Sequence, residues 1–514
     1  MVIKQNKVEK WDVFEVELKS SRNFDNPFTE VSLAANFTNG SVIKKAEGFY
    51  DGDSTWKIRF MPEEIGIYTF STESSIPEFN GLEGSFESIQ PSLDNHGPAR
   101  VARKHHFSYA DGTPLFVMGT TAYAWTYRPE EVRKQTLESF AKYGFNKIRM
   151  LVFPKYFHHK HEIDIGYEPP VLPFEGEFDG KEYTFDFKKY NVEYFRNFEE
   201  RVKDLLKLGI EADVILFHGY DVEKWEIDRR ISEDEGILYV KYLMARISSL
   251  RNVWWSLANE YDQIKDIKTG KMRCGIDRRD WDRIGRYIME NDPYNHLRSI
   301  HNWQHIYPDR DWITHASIQR INTYGLIMDL KKKYDKPVIN DEYQYEGNLA
   351  SRWGNLTGEV ELFRHWLSAM AGGYATHGEC YIVKGNRKDI FWTYGGTMVS
   401  QSAPRLKFLK EIMDSLPYQE MEQDYTQVDG INGFCLKKER SAYLTLMTRN
   451  QKGRPNRRAK IGEKLEGDTG TYEVTVYDLW NCNVLSKEVL GAGALVLEEY
   501  PAMLAVKAVL LQTK

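Results

Sequence analysis

The stretch that decides the fold is Val253-Trp254-Trp255-Ser256-Leu257-Ala258-Asn259-Glu260-Tyr261. An uncharged, largely apolar run stops abruptly at an Asn-Glu pair. Such a run, bounded by polar residues, predicts a strand that is buried on both faces. Strands of this kind lie in parallel sheets, so the sequence around them should alternate between strands and helices.

Residues 97–415 show this alternation. Strand-like runs are predicted at residues 115–119, 147–153, 212–217, 253–258, 298–301, 315–319, 337–340 and 373–376. Helix-like runs are predicted at residues 130–143, 191–208, 233–250, 278–291, 325–334, 359–371 and 405–413. Eight strands separated by helices or long loops favour an α/β fold, a (β/α)8 TIM barrel. A doubly wound open sheet is the alternative, but neither a G-x-G-x-x-G after the first strand nor a G-x-x-x-x-G-K-[ST] is present.

The barrel is flanked by sequence of a different kind. Residues 11–91 form short alternating runs broken by Gly, Asn, Asp and Pro about every ten residues, which is typical of an Ig-like β-sandwich. Short strand-like runs return after residue 417 and predict a C-terminal β-sandwich. The predicted domains are therefore residues 1–95, 96–416 and 417–514.

Two connections in the barrel are unusually long. Residues 154–190 and 378–404 each follow a predicted strand. Long connections are uncommon unless they form lids or binding loops, and both of these leave the barrel face that carries chemistry. We expect them to border the site.

Composition excludes several classes of protein. A formal net charge of −6 over 514 residues argues against a nucleic-acid partner. Four cysteines without a C-x-x-C pair predict free thiols and no zinc or redox motif. No apolar run approaches 18 residues and no signal-peptide pattern opens the chain, so we expect no membrane segment and a cytoplasmic location, although a chain trimmed of its signal would look the same.

Tryptophan is concentrated in the barrel segment. Ten of the 13 tryptophans fall between Trp125 and Trp392. They either fill the core or line a sugar-binding cleft, where an indole face stacks on a sugar ring and its N–H meets a hydroxyl.

The decisive segment supplies the first candidate catalytic group. At the end of the fourth barrel strand, Asn259 and Glu260 would point into the barrel mouth, where residues from different strands converge. A hydrolase needs a carboxyl there that stays protonated near neutral pH, and aromatic walls disfavour the anion. Glu260 is therefore the predicted general acid.

A second carboxylate ends the seventh strand. Lys336-Pro337-Val338-Ile339-Asn340-Asp341-Glu342-Tyr343 repeats the pattern of an apolar strand followed by acidic residues. Carboxylates about 5–5.5 Å apart across a glycosidic bond allow one of them to attack the anomeric carbon. Glu342 is the predicted nucleophile. Asp341 is the rival, but strand alternation predicts that only one of the two faces the cleft.

This pattern resembles the clan A glycoside hydrolases, the superfamily of many cellulases, mannanases, β-galactosidases and apiosidases. The resemblance implies that Asn259 binds the sugar 2-hydroxyl, that Glu260 is acid/base and that Glu342 is nucleophile. The wider layout, with Phe116-Val117-Met118-Gly119-Thr120 opening the barrel, looks like the apiosidase-like and endoglucanase-like glycoside hydrolases of polysaccharide-utilising bacteria.

The same resemblance implies further site residues. Arg149 matches the second-strand Arg that orients the nucleophile and keeps it ionised. His218, His301 and Asn302 resemble residues that line the sugar subsite. Tyr324 matches a Tyr that donates to the nucleophile, and Trp392 matches a stacking aromatic, although the clan has that aromatic nearer to the strand end.

Other polar groups have weaker interpretations. The segment His158-His159-Lys160-His161 could suggest a metal site, but a polar loop without a companion Cys or an H-E-x-x-H helix favours rim residues. Glu346, Arg352 and Trp353 follow the nucleophile strand and could contact substrate. No metal or organic cofactor is expected.

The sequence therefore predicts a retaining O-glycoside hydrolase that acts on plant-type or bacterial oligosaccharides. The first alternative is a catalytically inactive carbohydrate-binding protein on a glycosidase scaffold. The second is a metal-dependent barrel hydrolase, which would need a His-x-His where the first strand instead has Thr120-Thr121-Ala122-Tyr123-Ala124-Trp125. The sugar, the linkage and assembly into a homo-oligomer stay open.

Overall fold

The computed structural model describes residues 1–155, 168–221, 224–262, 279–305, 309–382, 390–424, 433–448, 457–461, 470–497 and 501–512. Its centre is a barrel of eight parallel strands: Met118–Thr121, Lys147–Leu151, Glu211–Phe217, Val253–Ala258, Arg298–Ser299, Ala316–Gln319, Val338–Glu342 and Tyr374–His377. Each strand pairs with its sequence neighbour, the eighth with the first, and a bridge between His301 and Ser317 joins the fifth to the sixth. The barrel is thus closed, as predicted.

Seven longer helices surround the strands: Glu130–Tyr143, Val192–Lys207, Glu233–Ile247, Trp281–Asn291, Tyr324–Tyr334, Gly358–Met370 and Ala403–Asp414. Their ends follow local capping chemistry. Asn191 accepts from the N–H of Glu193, and Ser232 forms a capping box with Glu235. These caps place the helix starts within three residues of the predicted ones. Within the described ranges, no helix has the length and apolar character needed to cross a bilayer.

The start of the barrel differs from the prediction. Pro114–Leu115 does not enter the first barrel strand but pairs antiparallel with His106–Tyr109, which in turn pairs with Ala99–Ala102. The barrel strand begins at Met118, where Gly119 lies so close to Thr376 of the eighth strand that a Cβ would approach its hydroxyl to 2.6 Å. Apolar character alone could not separate these two adjacent segments.

The N-terminal sheet has eight strands: Val2–Ile3, Lys7–Glu9, Phe14–Lys19, Leu33–Thr38, Ile43–Tyr50, Thr55–Phe60, Gly66–Ser74 and Glu83–Ile89. It curls around one aromatic core, because rings from non-adjacent strands touch: Phe14 lies 3.9 Å from Phe86 and Phe37 lies 4.2 Å from Phe60, centroid to centroid. The short helix Pro27–Glu30 connects two of the strands.

Buried charges join this sheet to the barrel. Arg246 donates to Glu199 at 2.8 Å and to Asp51 at 2.5 Å, and Arg59 pairs with Glu199 at 2.8 Å. Both guanidinium groups also lie over the ring of Phe49, at 4.5 and 5.0 Å. Asp51 and Arg59 belong to the N-terminal sheet and its loops, and Glu199 and Arg246 belong to barrel helices. The network therefore fixes the position of the sheet relative to the barrel. We call these four charged residues the interdomain network.

The C-terminal part contains a six-stranded sheet of Glu422–Gln423, Gly433–Lys438, Ala442–Thr448, Thr471–Asp478, Asn483–Gly491 and Met503–Gln512, with a separate pair Arg457–Ile461 and Gly493–Leu497. It packs on the outer helices of the barrel, with Arg405 lying 3.7 Å over the ring of Trp480 and Phe408 lying 5.7 Å from Tyr477. The domain boundaries at residues 95/96 and 416/417 stay predictions, as do the Ig-like and sandwich descriptions.

The two long connections extend the barrel mouth. The first contains the hairpin Phe174–Phe178 and Tyr183–Tyr190. The second contains Glu379–Cys380, which pairs with Glu346–Gly347, and the short helix Phe391–Tyr394. Both therefore add ordered backbone at the carboxyl ends of the strands, the face where barrel enzymes hold their sites.

Candidate active site

A bulge shapes the end of the seventh strand. Ile318 pairs with Asn340 and Gln319 pairs with Glu342, so Asp341 is an extra residue in the ladder. A bulge interrupts the alternation of side chains and re-aims them. Asp341 accepts from Lys147 at 2.9 Å and Ser317 at 2.6 Å, groups on strands two and six. It therefore lies inside the barrel, as Glu342 does, so strand alternation does not send the two side chains to opposite sides.

The two acidic residues lie in different layers. Asp341 also accepts from the hydroxyl of Thr376 at 2.6 Å. Burial opposes its ionised form, but the Lys147 ammonium and the Arg149 guanidinium outweigh this and hold the pKa of Asp341 well below its usual range. With three donors on its two oxygens, Asp341 is a fixed anion beneath the site.

Glu342 lies at the level of the barrel mouth but is only 3% exposed. Its Oε1 accepts from the hydroxyl of Tyr123, from Arg149 Nη1 at 3.0 Å and from Asn259 Nδ2 at 3.4 Å. Burial would raise the pKa of this carboxyl, but the neighbouring His301, then Arg149 and the hydrogen bond from Tyr123, outweigh it and lower the pKa. Glu342 is thus held as a carboxylate.

The end of the fourth strand also departs from alternation. Glu260 has a left-handed backbone with φ 49°, a conformation that residues other than glycine rarely adopt. Strain of this kind is found at functional sites, where the surroundings determine it. The turn lets Asn259 and Glu260 face the same site. Asn259 accepts from Arg149 Nη2 and donates to Tyr220 as well as to Glu342.

Glu260 is partly exposed and accepts two hydrogen bonds. The Tyr220 hydroxyl donates to Oε2 at 2.9 Å and Gln319 Nε2 donates to Oε1 at 3.1 Å. Because Asn259 donates to both Tyr220 and Glu342, a short hydrogen-bonded path joins the two carboxyls. The structure thus brings together Glu260, Glu342 and Asn259, which the sequence placed at strand ends, and Arg149, which the family resemblance added.

His218 has a different position from the one expected. It is fully buried, its Nδ1 accepts from the N–H of Tyr220 at 3.0 Å, and its Nε2 lies 3.1 Å from the carbonyl of Phe153. Burial lowers its pKa to about 3, so the ring is neutral. Both nitrogens are occupied by backbone groups, so the expected direct contact of His218 with sugar is corrected to support of Tyr220.

His301 lies next to Glu342, and Asn302 follows it in the chain. His301 Nδ1 is 3.0 Å from Ser317, its Nε2 is 3.2 Å from Gln319 Oε1, and Nε2 is 3.6 Å from Glu342. Burial and then Arg149 lower its pKa to about 4. Asn302 is buried, and its side-chain atoms have no hydrogen-bond partner among the residues that the structure describes. Sugar binding by either residue stays a prediction.

The predictions for Tyr324 and Trp392 differ in their outcomes. Tyr324 begins a helix and packs on Phe434 of the C-terminal sheet, with ring centroids 4.6 Å apart. Within the described contacts, Tyr123 and not Tyr324 hydrogen-bonds Glu342, so the expected contact is corrected. The Trp392 ring does reach the site, 5.9 Å from the ring of Tyr123 and 4.2 Å from Lys155 Nζ.

The other candidate residues lie around the rim or outside the described residues. Glu346 accepts from the N–H groups of Gln401 at 2.7 Å and Ser402 at 2.9 Å, so it fastens the second long connection rather than pointing to substrate. Arg352 and Trp353 form a short helical turn. His158, His159, Lys160 and His161 lie outside the described residues, and within those residues no cluster of three metal-ligating side chains occurs.

Sequence reasoning missed Tyr123, Tyr220, Gln319 and Lys155. Tyr123 follows the first strand by two residues, Tyr220 follows the third by three, and Gln319 ends the sixth. A rule that inspects every polar or aromatic residue within three positions of a barrel strand's carboxyl end would have found these three. Nothing in the sequence shows that Lys155 lies 4.3 Å over the ring of Tyr123.

Comparison with protein families gives two matches. Residues 7–75 match a domain of unknown function (DUF5060). Residues 102–420 match the family described as "Apiosidase-like, catalytic domain". A comparison with proteins of curated function gives no match.

Comparison with solved structures gives similar chains. A candidate glycoside hydrolase from Bacteroides vulgatus ATCC 8482 is 34% identical, with a TM-score of 0.86 over 99% of this chain and 100% of the other. A glycoside hydrolase family 5 protein from the same organism is 16% identical, with a TM-score of 0.61 over 81% and 94% of the two chains. The second likeness concerns the fold alone.

Proposed function

The chain belongs to the apiosidase-like family of glycoside hydrolases, and on that premise we propose that it cleaves O-glycosidic bonds of oligosaccharides with retention of the anomeric configuration. One observation carries the proposal. Glu342, buried beside a fixed guanidinium, and Glu260, at the open side of the site, lie on non-adjacent strands and are joined through Asn259 and Tyr220.

The first step forms a glycosyl-enzyme ester. Glu260 gives its proton to the glycosidic oxygen as the bond from that oxygen to the anomeric carbon breaks. A carboxylate oxygen of Glu342 forms the new bond to the anomeric carbon. Arg149 and Tyr123 keep Glu342 ionised and aimed before the attack, which removes the need for reorganisation during the reaction.

The second step returns the enzyme to its first state. Glu260, now a carboxylate, takes a proton from water while the water oxygen attacks the anomeric carbon and the bond to Glu342 breaks. Tyr220 and Gln319 donate to Glu260 and hold its carboxyl group in one orientation in both steps. Asn259, fixed by Arg149, is placed to bind a sugar hydroxyl beside the reacting carbon.

The test is a screen of chromogenic glycosides, including apiosides and other furanosides, followed by NMR of the first-formed product. We expect hydrolysis of at least one member, with the product anomer matching the substrate anomer before mutarotation. An inverted product would contradict the retaining mechanism. Binding without hydrolysis, seen as sugar-dependent thermal stabilisation, would support the non-catalytic alternative.

The acidic limb of the pH profile is expected to depend on Tyr123. In Tyr123→Phe the hydroxyl that lowers the pKa of Glu342 is lost, so this pKa rises and a smaller fraction of the enzyme carries the carboxylate at a given low pH. A hydrogen bond to a charged group contributes about 1.5–3 kcal/mol, so kcat/KM should fall about 10- to 100-fold and its acidic limb should move to higher pH.

The control for this variant is Tyr143→Phe, at the end of the outer helix Glu130–Tyr143. It makes the same chemical change away from the site and should leave the profile in place. An unchanged acidic limb in Tyr123→Phe would show that this hydroxyl does not tune the nucleophile.

A further inference from the structure

Three tyrosines surround the carboxyl pair, and two of their hydroxyls are already used. Tyr123 donates to Glu342 and Tyr220 donates to Glu260. The third, Tyr345, is fully buried, yet its hydroxyl has no hydrogen-bond partner among the described residues. Buried polar groups are nearly always paired, so an unpaired one requires an explanation.

The backbone around Tyr345 is fixed. Its N–H donates to the carbonyl of Trp353 at 2.8 Å and its own carbonyl accepts from Leu356 at 3.0 Å. The preceding residue, Gln344, has a left-handed backbone with φ 84°. Its side chain accepts from Arg364 at 2.8 Å and donates to the carbonyl of Arg352 at 3.0 Å. Because left-handed backbone is unfavourable for glutamine, these contacts must hold it, and they set the direction of the next residue.

The ring of Tyr345 is equally constrained. It rests on Gly378, directly after the eighth strand, where any Cβ would overlap the ring. Its centroid lies 5.5 Å from that of Trp392 and 6.2 Å from that of Trp353. The glycine thus makes room for the tyrosine, and the two aromatic residues prevent it from moving away. The ring cannot turn toward another partner without disturbing the second long connection and the loop that contains Trp353.

The hydroxyl of Tyr345 is in the electrostatic surroundings of the nucleophile. Burial raises its pKa well above the usual range, the negative charge of Glu342 adds to this, and the Arg149 guanidinium acts in the opposite direction. The hydroxyl is therefore protonated and within the field of the Glu342 and Arg149 pair. It offers one donor and one acceptor that no described residue uses.

We propose that Tyr345 is a substrate-binding residue whose hydroxyl hydrogen-bonds a hydroxyl group of the sugar that Glu342 attacks, with the rings of Tyr345 and Trp392 forming one wall of that subsite. This inference rests on the proposed function. A neutral, hydroxylated sugar ring fits here, since it supplies both a donor and an acceptor, whereas a carboxylate substituent would meet the anion of Glu342. A site built to pair a substrate hydroxyl discriminates strongly against an analogue that lacks it.

The test is Tyr345→Phe, which keeps the ring and removes only the hydroxyl. Because the hydroxyl loses no partner among the residues that the structure describes, the urea midpoint should be equal to or above that of the wild type. On the 4-nitrophenyl glycoside found by the screen, kcat/KM should fall about 10- to 100-fold while the acidic limb keeps its position, unlike in Tyr123→Phe.

Deoxy substrates locate the contact. Among monodeoxy versions of the same glycoside, one should be hydrolysed equally by the wild type and by Tyr345→Phe, because the partner hydroxyl is missing in both cases. Wild-type kcat/KM in Tyr345→Phe on the parent glycoside, or a lowered urea midpoint, would overturn the proposal.

Binding measurements separate this inference from the proposed function. Calorimetric titration of the glycosides into Glu342→Gln, with and without Tyr345→Phe, reports affinity without turnover. A 10-fold or greater loss of affinity in the double variant supports the role of Tyr345 even if no glycoside is hydrolysed, and equal affinity overturns it even if hydrolysis is found. If no glycoside binds at all, both proposals fall.

Discussion

Alanine at position 342 is expected to lower kcat on an activated glycoside by at least about 10⁴-fold, because the glycosyl-enzyme ester then has no carboxylate from which to form. Asp341 cannot take over this role. It is held in the layer below by Lys147, Ser317 and Thr376, and its own shift toward the anomeric carbon would leave those buried donors unpaired.

Azide gives this prediction a second readout. In Glu342→Ala a small anion can enter the space left by the carboxylate and attack the anomeric carbon directly, which yields an inverted glycosyl azide. In Glu260→Ala the ester still forms from an activated substrate, and azide then displaces Glu342 to yield a retained glycosyl azide. Opposite anomers from the two variants are the expected result.

The control is Glu359→Ala, an exposed glutamate in the first turn of the helix Gly358–Met370. It removes the same group close in sequence to the nucleophile and should keep wild-type turnover. Wild-type turnover by Glu342→Ala or by Glu260→Ala would remove the basis of the assignment of roles.

Arg246→Met is expected to destabilise the protein by about 3–5 kcal/mol, since it removes one partner of a buried charge cluster and leaves Asp51 and Glu199 under-paired. The thioether side chain fills most of the same volume, so the loss of stability measures the removal of the charge and not the creation of a cavity. Urea unfolding measures it, and a loss below about 1 kcal/mol would show that the interdomain network contributes little.

The matched control is Arg283→Met. Arg283 also pairs with acidic residues, at 2.6 Å to Asp234, but its side chain is 47% exposed. Exposed pairs contribute about 0–1 kcal/mol, so this variant should unfold close to the wild type. The contrast between the two variants isolates burial as the cause.

The interdomain network should also make the stability of the fold depend on pH, in a direction set by the pKa of Glu199. Burial opposes ionisation of Glu199, but Arg59 and Arg246 outweigh it and lower its pKa to about 2. A depressed folded-state pKa contributes stability above the unfolded value of about 4.3, which is lost as the pH falls toward 2. Arg246→Met should therefore lose less stability than the wild type over this acid range.

Much of the site followed from local sequence. The strand Val253–Ala258 is apolar and is followed by an Asn-Glu pair, and Val338–Glu342 is a buried strand that ends in Asp-Glu. Parallel strands in a barrel must end at one rim. Asn259, Glu260 and Glu342 were placed together by this argument, whereas Arg149 was added by the family resemblance. The family resemblance added roles for them, and these stay proposals.

Side-chain partners did not follow in the same way. Tyr324 was expected to contact the nucleophile and Tyr123 does so, while His218 was expected to contact sugar and supports Tyr220 instead. Each outcome depends on the register of one barrel strand against its neighbours. A one-residue difference in register changes which hydroxyl reaches a carboxylate, and the composition of the strands does not reveal their register.

The sequence by itself determined the order of strands and helices and which strand ends carry acidic residues, because hydrophobic periodicity and capping act within a few neighbouring residues. Only the tertiary structure decided that Asp341 lies beneath Glu342, that Glu260 turns beside Asn259, and that the ring of Tyr345 lies buried on Gly378. A bulge, a left-handed residue and a ring seated on a glycine produce these positions, and each depends on contacts between segments far apart in the chain.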